Sequence, residues 1–458
     1  MNAATLTTLA ALKNSGRSVA TPFSLALPDH SVVVCETVLR LLPEKRIVLR
    51  GRYQQQTVLV KLFFDTHNWQ KECTGFERLQ KTGIATPALL LQQAVEQGGV
   101  CLFAFIDNAQ PLDVLWQHAD ETTKRDYLAL LLPNLQTLWQ QQVLQQDLHL
   151  GNFLLQTQAD DSLTLWTLDP ASCVPFSHAE ALQKNLALLL AQLPVADWDF
   201  AVHTLRTEAD IKPLAQQQWR QRLHHYLRKI FRDCTEVADL SPHNNLRILC
   251  QRHALTANFL ACLQNPSALA NHAAMLKNGN SAKVFRIEMD GRLFVVKQYI
   301  NKDWLRKLRR AFRPSRAARS WRFAHMLAFA GVRVPKPVAL IEQKTGPLVT
   351  SAWYISEYCA DTDLLTRWQT QMPSTEELHS LRALFDALQA LHIHHGDMKA
   401  SNLLSDGKSI AVIDYDGAQE HRNTATLQQA LQKDKQRLLQ NWQNNTALQQ
   451  QLREALAV

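Results

Sequence analysis

Each half of this 458-residue chain runs through the same succession of sequence patterns. The order in both halves is a strand hairpin, a helix, a strand, a second helix, an acidic loop and a short strand that ends in aspartate. Each half also places a lysine, an aspartate, an asparagine and a second aspartate in matching positions. Such a repeat predicts an internal duplication, and the chain is long enough for two cores. We therefore expect an α+β fold with two tandem domains.

In the second half, apolar patterns on both sides of the turn Met289-Asp290-Gly291 predict a hairpin over residues 282–287 and 292–299. The run Val334-Pro335-Lys336-Pro337 breaks the helical pattern that follows the hairpin. Further patterns predict a strand at 352–358, a helix at 375–391, a loop at 395–402 and a buried strand at 410–413. That last strand ends at Asp414.

The first half repeats this order. Its patterns predict strands at 47–52, 57–64 and 100–106, helices at 69–81 and 122–139, a loop at 147–152 and a strand at 163–168 that ends at Asp169. A cluster of turn residues at 239–245 separates the two halves. We predict domains at residues 30–238 and 239–458.

Charge is unevenly distributed. Residues 1–240 contain 21 basic and 24 acidic side chains, whereas residues 241–458 contain 28 basic and 17 acidic ones. Nine of the 21 residues from Lys302 to Arg322 are basic, with apolar residues such as Trp304 and Phe312 between them. This helical stretch is interpreted either as a solvated face or as a surface that contacts an anionic partner. No known nucleic-acid-binding motif supports a nucleic-acid partner.

The eight cysteines form no CxxC pair, which argues against a disulfide framework or a zinc site and fits a reducing compartment. No apolar run approaches the roughly 18 residues that a membrane span needs. The N-terminal stretch lacks a basic start and a clean cleavage site, so no signal peptide is predicted. These features favour a cytoplasmic location.

The polar residues of the second half fit the requirements of phosphoryl transfer. That reaction needs a cation for the nucleotide phosphates, oxygen ligands for Mg²⁺ and a carboxylate that orients the attacking hydroxyl. Lys297, at the end of a buried strand, is suited to the α- and β-phosphates of ATP. In the loop, Asp397 is the candidate for the hydroxyl proton and Lys399 for the charge of the transferred group. Asn402 and Asp414 are the candidate metal ligands.

These residues resemble the protein-kinase-like superfamily, whose H-x-D-x-K-x-x-N loop is matched in full by residues 395–402. Four further segments resemble bacterial lipopolysaccharide kinases, which include the heptose and Kdo kinases of the inner core: Lys297-Gln298-Tyr299, residues 313–321, Pro335-Lys336-Pro337 and Ile355-Ser356-Glu357-Tyr358. The resemblance covers about residues 275–445 well and 35–190 more weakly. It implies two tandem kinase-like domains, each with a strand-rich N-lobe and a helical C-lobe. It also implies ATP- and Mg²⁺-dependent phosphorylation of a core sugar hydroxyl.

The resemblance implies an anionic glycolipid as the partner of the basic stretch from Lys302 to Arg322. Arginine suits the phosphate groups of an anionic glycolipid such as the lipopolysaccharide core. A peripheral location at the cytoplasmic face of the inner membrane would follow. The arginines predicted to make this contact are Arg306, Arg309, Arg310, Arg313 and Arg316.

The second half departs from the kinase pattern in two places. Its helix lacks the glutamate that normally pairs with the lysine, since the only acid between Asn301 and Pro335 is Asp303, which comes too early. Lys297 is therefore expected to pair with Asp414 or to stay unpaired until nucleotide binds. The turn that would cover the phosphates contains only Gly279. Its backbone amide is interpreted either as part of a phosphate cradle or as part of a plain hairpin tip.

The first half has complementary departures. Lys61 supplies the strand lysine, and Glu72 or Glu77 supplies the helix acid. The loop carries Gln145 in place of the histidine and His149 in place of the lysine. The essential Asp147, Asn152 and Asp169 are all present. This half is interpreted either as a second active site or as a degenerate regulatory domain.

Three readings of the function remain open from the sequence. The first is a lipopolysaccharide core kinase. The second keeps the fold but phosphorylates a soluble small molecule or a protein. The third is a non-catalytic tandem pseudokinase scaffold. His392, His394 and His395 are interpreted as structural residues rather than a metal site, since His395 matches the loop histidine of kinases.

Overall fold

The chain begins with a seven-stranded sheet, along several of whose strands buried and exposed residues alternate. Its strands pair antiparallel except for the first two, which are parallel. A computed structural model describes residues 5–95, 97–206, 210–243, 245–270, 273–279, 281–300, 314–346 and 348–457. The chain divides into two units, Met1–Leu193 with Asp197–Arg220 and Pro194–Ala196 with Gln221–Val458. Among the described residues, no helix is long and apolar enough to cross a membrane.

The sheet of the first unit places the lysine strand beside two strands from further along the chain. In spatial order the strands are Thr5–Thr7, Phe23–Ala26, Val32–Leu42, Arg46–Tyr53, Gln56–Phe63, Gly98–Ala104 and Leu89–Val95. One face of Gln56–Phe63 joins a core with Val58, Val60 and Leu62, while Lys61 is on the opposite face.

The remainder of the first unit is helical, with small antiparallel sheets. The helices are Leu9–Asn14, Thr66–Lys81, Leu112–His118, Glu121–Gln140, Ala179–Leu190 and Trp198–Thr204. The helix Lys212–Lys229 continues from this unit into the next. The short strands are Ala109–Pro111, Val143–Gln145, Phe153–Thr157, Leu163–Thr167 and Cys173–Pro175, and the 3₁₀ turns are Leu150–Asn152, Pro170–Ser172 and Val195–Asp197.

The second unit also begins with a seven-stranded sheet. In spatial order its strands are Val237–Asp239, Leu246–Gln251, Pro337–Thr345, Leu348–Glu357, Arg292–Ile300, Ala282–Met289 and Ala273–Asn278. The hairpin of Ala282–Met289 and Arg292–Ile300 closes at Asp290 and Gly291, both with positive φ, as a two-residue turn requires.

Helices and short strands follow here as well. The helices are Ala257–Gln264, Arg316–Phe329, Leu364–Thr370, Thr375–Ala390, Thr424–Leu439 and Thr446–Leu456. The short strands are Thr362–Asp363, Ile393–His394, Leu403–Ser405, Ile410–Val412 and Gln419–Glu420. The 3₁₀ turns are Arg252–Ala254, Pro266–Ala270, Ala400–Asn402, Tyr415–Gly417 and Gln440–Trp442.

The helix below the lysine strand begins and ends for the same local reasons in both units. Asp65 caps Thr66–Lys81 by accepting from the backbone N–H of Asn68, and Ser315 caps Arg316–Phe329 by accepting from that of Ala318. Just past each helix lies a glycine with positive φ, Gly83 in the first unit and Gly331 in the second.

The predicted α+β class is confirmed, as are the hairpins, the helices at 69–81, 122–139 and 375–391 and the short strand before each second aspartate. Most of the basic stretch that was predicted to be helical lies outside the described residues. The predicted domains, residues 30–238 and 239–458, stay a prediction. Residue 30 lies in the turn between Phe23–Ala26 and Val32–Leu42, which pair in one sheet. Residue 239 ends a strand that pairs with Leu246–Gln251. The start at 239 was inferred from turn residues, and a tight hairpin uses the same residues as a linker.

Candidate active site

The acidic loop of the second unit is closed by backbone contacts around Asn402. The side-chain nitrogen of Asn402 donates to the backbone oxygen of Asp397 at 2.9 Å and to Oδ2 of the same residue at 3.2 Å. The backbone oxygen of Asn402 accepts from the N–H of Ile413 at 2.9 Å. These bonds tie the loop to the strand that leads into Asp414. Because the amide nitrogen of Asn402 is the donor, its amide oxygen is the atom left for a metal ion.

Asp414 has an unusual backbone. Its φ of 62° and ψ of 74° lie in the left-handed region, which residues other than glycine seldom adopt. Such a conformation costs about 1–3 kcal/mol and persists only where surrounding contacts enforce it. Here it turns the chain sharply from the strand Ile410–Val412 into the 3₁₀ turn Tyr415–Gly417. A carboxylate at this turn can face the cavity that the loop also lines.

A buried carboxylate, Asp434, supports the loop from the helix Thr424–Leu439. It accepts hydrogen bonds from the backbone N–H groups of His395 at 2.7 Å and Gly396 at 3.0 Å. Burial raises the pKa of Asp434 despite these bonds. The His395 ring is also buried, and its Nε2 lies 3.1 Å from the backbone oxygen of Ile413. His395 is thus a structural residue of the loop, as the motif suggested. No local sequence signal marks Asp434, which lies far along the chain.

Lys297 has two carboxylate partners, and both lie at the end of the short strand. Its ammonium nitrogen is 2.6 Å from Oδ1 of Asp414 and 2.9 Å from Oδ2 of Asp416. The expected pairing with Asp414 is present, whereas Asp416 was missed. Burial acts to raise the pKa of Asp414, but the charge and the hydrogen bond of Lys297 outweigh it and hold the pKa below its usual value.

These side chains border a cavity of about 430 Å³ in the second unit. Its apolar lining includes Val284, Val295, Leu404 and Ile413, which suits a flat aromatic base. Its polar lining includes Lys297, Lys399, Ser401, Asn402 and Asp414. Asp397 contacts this polar lining, since its Oδ2 is 2.9 Å from the ammonium nitrogen of Lys399. Five of the site residues predicted for the second half are therefore brought together: Lys297, Asp397, Lys399, Asn402 and Asp414.

Two other predicted residues of the second half have different surroundings. The backbone N–H of Gly279 donates to the backbone oxygen of Ala282 at 3.1 Å, so this amide is used inside the hairpin. Arg316 pairs with Asp416 and donates to the backbone oxygen of Ser281 at 3.1 Å. The other four arginines predicted to contact a glycolipid, Arg306, Arg309, Arg310 and Arg313, lie outside the described residues.

A comparison with known protein families identifies this region. Residues 267–457 match the model of the lipopolysaccharide kinase (Kdo/WaaP) family. These matched residues are called the Kdo/WaaP domain below. The match shows that the chain is a kinase, that is, a phosphotransferase, and the matched family acts in lipopolysaccharide synthesis. No curated protein matches the chain.

The donor set of the Kdo/WaaP domain fits Mg²⁺. Hard oxygen ligands from one carboxylate and one amide, completed by substrate phosphates, are the usual arrangement for this ion in phosphoryl-transfer sites. Asp414 and Asn402 supply such oxygens at one edge of the cavity. The volume lies within the 300–1,000 Å³ typical of small-molecule sites. When bound, Mg²⁺ would offset the negative charge of the substrate phosphates.

The first unit, which the family match does not reach, builds its loop with the same bonds. The Asn152 side-chain nitrogen donates to the backbone oxygen of Asp147 at 2.7 Å, and its backbone oxygen accepts from Leu168 at 2.7 Å. Asp169 is left-handed like Asp414, with φ of 55° and ψ of 62°. Gln145 takes over the role of His395, since its Nε2 donates to the backbone oxygen of Leu168 at 2.8 Å.

The lysine of the first unit has a different partner. Lys61 donates to Glu72, and both side chains are buried. Glu72, not Glu77, is therefore the helix acid. Arg46, which sequence reasoning missed, places a guanidinium nitrogen 3.8 Å from Oδ1 of Asp169 and 4.0 Å from Oε2 of Glu72. Within the described part of the chain, the buried Nε of Arg46 has no hydrogen-bond partner.

Proposed function

We propose that the Kdo/WaaP domain transfers the γ-phosphoryl group of ATP, in the presence of Mg²⁺, to a sugar hydroxyl of the lipopolysaccharide inner core. The observation that carries the proposal is the convergence of Lys297, Lys399, Asn402 and Asp414 on one cavity, with Asp397 hydrogen-bonded to two of them. The family match supports the kinase class, and the acceptor follows from the family's lipopolysaccharide kinases.

Each side chain has a definite task in this proposal. Lys297 binds the α- and β-phosphates. Asn402 and Asp414 hold the metal ion. Asp397 accepts a hydrogen bond from the attacking hydroxyl and takes its proton as the new bond forms. Lys399 contacts Asp397 and lines the cavity, so its charge offsets that of the transferred group.

The acceptor is tested by supplying labelled ATP and Mg²⁺ with a dephosphorylated lipopolysaccharide core. We expect label in a core sugar, and no label when Mg²⁺ is removed with a chelator. Soluble sugars, amino acids and casein serve as competing acceptors in parallel reactions. Label in those alone would contradict the core as acceptor. Nucleotide binding without transfer to any acceptor would contradict catalysis and favour a scaffold.

For the first unit we propose a second phosphotransfer site, built from Lys61, Glu72, Asp147, Asn152 and Asp169. Its support is the shared loop geometry and the left-handed aspartate at the same turn. In this site Lys61 and Glu72 would hold nucleotide, Asp147 would be the catalytic carboxylate, and Asn152 with Asp169 would bind metal. Residual label in an Asp397→Ala variant that disappears on adding Asp147→Ala would support it. If the Asp397→Ala variant retains no label, the second phosphotransfer site is contradicted and a regulatory role for the first unit is favoured.

We further propose that the chain works at the cytoplasmic face of the inner membrane, where the basic stretch contacts the anionic glycolipid. Sedimentation with vesicles that contain lipopolysaccharide core lipid tests this contact. The variant replaces four arginines by glutamine: Arg306, Arg309, Arg310 and Arg313. The control replaces four exposed basic residues elsewhere by glutamine: Arg40, Lys71, Lys81 and Lys408. Equal vesicle binding by variant and control would contradict the contact.

A further inference from the structure

The helices that pack below the lysine strands correspond residue by residue at their C-terminal ends. The sequence from Glu72 to Pro87 aligns without a gap to the sequence from Ser320 to Pro335. Both helices end before a glycine with positive φ, Gly83 or Gly331, and an X-Pro step comes four residues later. Ser320 therefore occupies the position at which the first unit has its lysine-binding glutamate.

Two more positions change together with this one. The residue two places after the strand lysine is Phe63 in the first unit and Tyr299 in the second. The residue two places after the left-handed aspartate is Ala171 in the first unit and Asp416 in the second. The first unit thus has its carboxylate on the helix, opposite two apolar residues. The second unit has a hydroxyl on the helix, a hydroxyl on the strand and its carboxylate in the turn.

The three polar residues of the second unit form one connected network. The Tyr299 hydroxyl donates to Oδ1 of Asp416 at 2.8 Å and lies 2.9 Å from the Ser320 hydroxyl. Oδ2 of Asp416 is 2.9 Å from the ammonium nitrogen of Lys297 and also pairs with Arg316. Both oxygens of Asp416 are therefore held by donors from the strand and from the helix. The position of this carboxylate thus does not depend on Lys297.

Asp414 cannot serve as the lasting partner of Lys297 during the proposed reaction. Its oxygens would hold the metal ion in the proposed function, and a metal ion there would compete with the lysine for them. Asp416, which is anchored by Tyr299 and Arg316, keeps its contact with Lys297 in either case.

We propose that Asp416 is the positioning residue for Lys297, and that it replaces the helix glutamate that the second unit lacks. Asp416 orients the lysine toward the nucleotide phosphates and, through Tyr299 and Ser320, couples the lysine to the helix Arg316–Phe329. This role rests on the proposed function, because it assumes that nucleotide binds in the cavity beside Lys297.

The experiment reads the position of Lys297 directly. An acyl-phosphate derivative of ATP acylates the lysine that lies beside its phosphates, and peptide mass spectrometry separates Lys297 from Lys61 in the same sample. We expect labelling of Lys297 that excess ATP prevents. In Asp416→Ala the labelling rate of Lys297 should fall about ten- to hundredfold, since a charge-assisted contact is lost. The labelling of Lys61 should not change.

A rescue separates positioning from folding. Adding Ser320→Glu and Tyr299→Phe to Asp416→Ala rebuilds the arrangement of Glu72, Phe63 and Ala171. We expect this triple variant to recover the labelling of Lys297 and the KM for ATP. The matched control with Ser320→Gln in place of Ser320→Glu has the same size but no charge, and it should not recover them.

The outcomes test two claims, the positioning role of Asp416 and the nucleotide site of the proposed function. Unchanged labelling of Lys297 in Asp416→Ala overturns the positioning role. Equal recovery by the glutamate and glutamine triples overturns it as well, because charge would then be irrelevant. Failure of both triples to recover labelling, with melting temperatures equal to that of the parent, also overturns it. Absence of ATP-protected label on Lys297 in the parent chain instead overturns the nucleotide site of the proposed function.

Discussion

The ammonium group of Lys297 donates a 2.6 Å hydrogen bond to Asp414. The residue proposed to bind the nucleotide phosphates is thus paired with the residue proposed to bind the metal ion. The pairing lowers the pKa of Asp414 even though burial acts to raise it, so the carboxylate is ionised at neutral pH. An ionised carboxylate can bind Mg²⁺ without first releasing a proton.

Replacing Asp414 by asparagine should make the second unit less sensitive to acid. The pKa of Asp414 is lower in the folded chain than its value of 3.8 in the unfolded chain, so acid favours the unfolded state. The stabilisation by the carboxylate is complete above pH 3.8 and is lost as the pH falls through the lower folded pKa. Asparagine tolerates the left-handed backbone, which spares the turn. Urea unfolding at pH 7 and pH 3 measures the effect, and equal acid sensitivity of parent and variant would contradict it.

Gly396 should tolerate no side chain. Its φ is +79°, and a Cβ there would lie 2.4 Å from the backbone oxygen of Gly417. Gly346 offers a matched control, because its φ of +59° is also left-handed but no atom of the described residues lies within 4 Å of its Cβ position. Gly346→Ala should cost about 1–2 kcal/mol from backbone strain alone. Gly396→Ala should cost clearly more and abolish phosphoryl transfer. Equal losses of unfolding free energy would show that the loop can move aside.

Removing the side chain of Asp434 should loosen the catalytic loop. Asp434→Ala leaves the buried N–H groups of His395 and Gly396 without their acceptor, at a cost of about 2 kcal/mol or more. The kcat should fall while the KM for ATP changes less, because the hydrogen bonds of Asp434 go to the catalytic loop. Asp434→Asn retains one acceptor oxygen and should lose about half as much stability. A kcat equal to that of the parent in Asp434→Ala would refute this role.

His325 should make the second unit lose stability in mild acid. Burial lowers its pKa from 6.5 to about 3, and its Nδ1 lies 2.6 Å from the Tyr226 hydroxyl. Between those two pH values the unfolded chain binds the proton and the folded chain does not. Stability therefore falls by about 1.4 kcal/mol per pH unit as the pH drops through this window. His325→Gln should flatten the profile between pH 6.5 and 4.5 in urea unfolding, and an unchanged slope would contradict this assignment.

Local patterns were enough to predict the elements that carry the site. The alternation around Asp290 and Gly291 predicted the hairpin that ends in the lysine strand, and the spacing from Asp397 to Asp414 predicted the loop and the strand behind it. These features depend on residues close together in the chain. The turn residues at 239–245 were predicted to separate the two halves, but a turn inside a sheet is indistinguishable by composition from one between domains.

Contacts between distant residues could not be predicted in the same way. The Asp434 carboxylate reaches the loop from a helix whose sequence reads as an ordinary amphipathic segment. Arg46 and Asp169 lie far apart in the chain, and only the fold brings their side chains close together. Asp416 had a signal, since an acid two residues after Asp414 accompanies a helix without glutamate. That signal could be interpreted only once the fold showed Asp416 in contact with Tyr299, and Tyr299 in contact with Ser320.

The measurement that tests the central claim most directly is Mg²⁺-dependent transfer of label from ATP to dephosphorylated lipopolysaccharide core by the parent, Asp397→Ala and Glu376→Ala. Glu376 is an exposed carboxylate in the same unit, outside the cavity, and serves as the control. We expect the control to match the parent. Loss of the proton acceptor should reduce transfer by Asp397→Ala about 10²- to 10⁴-fold, with binding of ATP retained. Transfer by Asp397→Ala at the rate of the control would contradict the account.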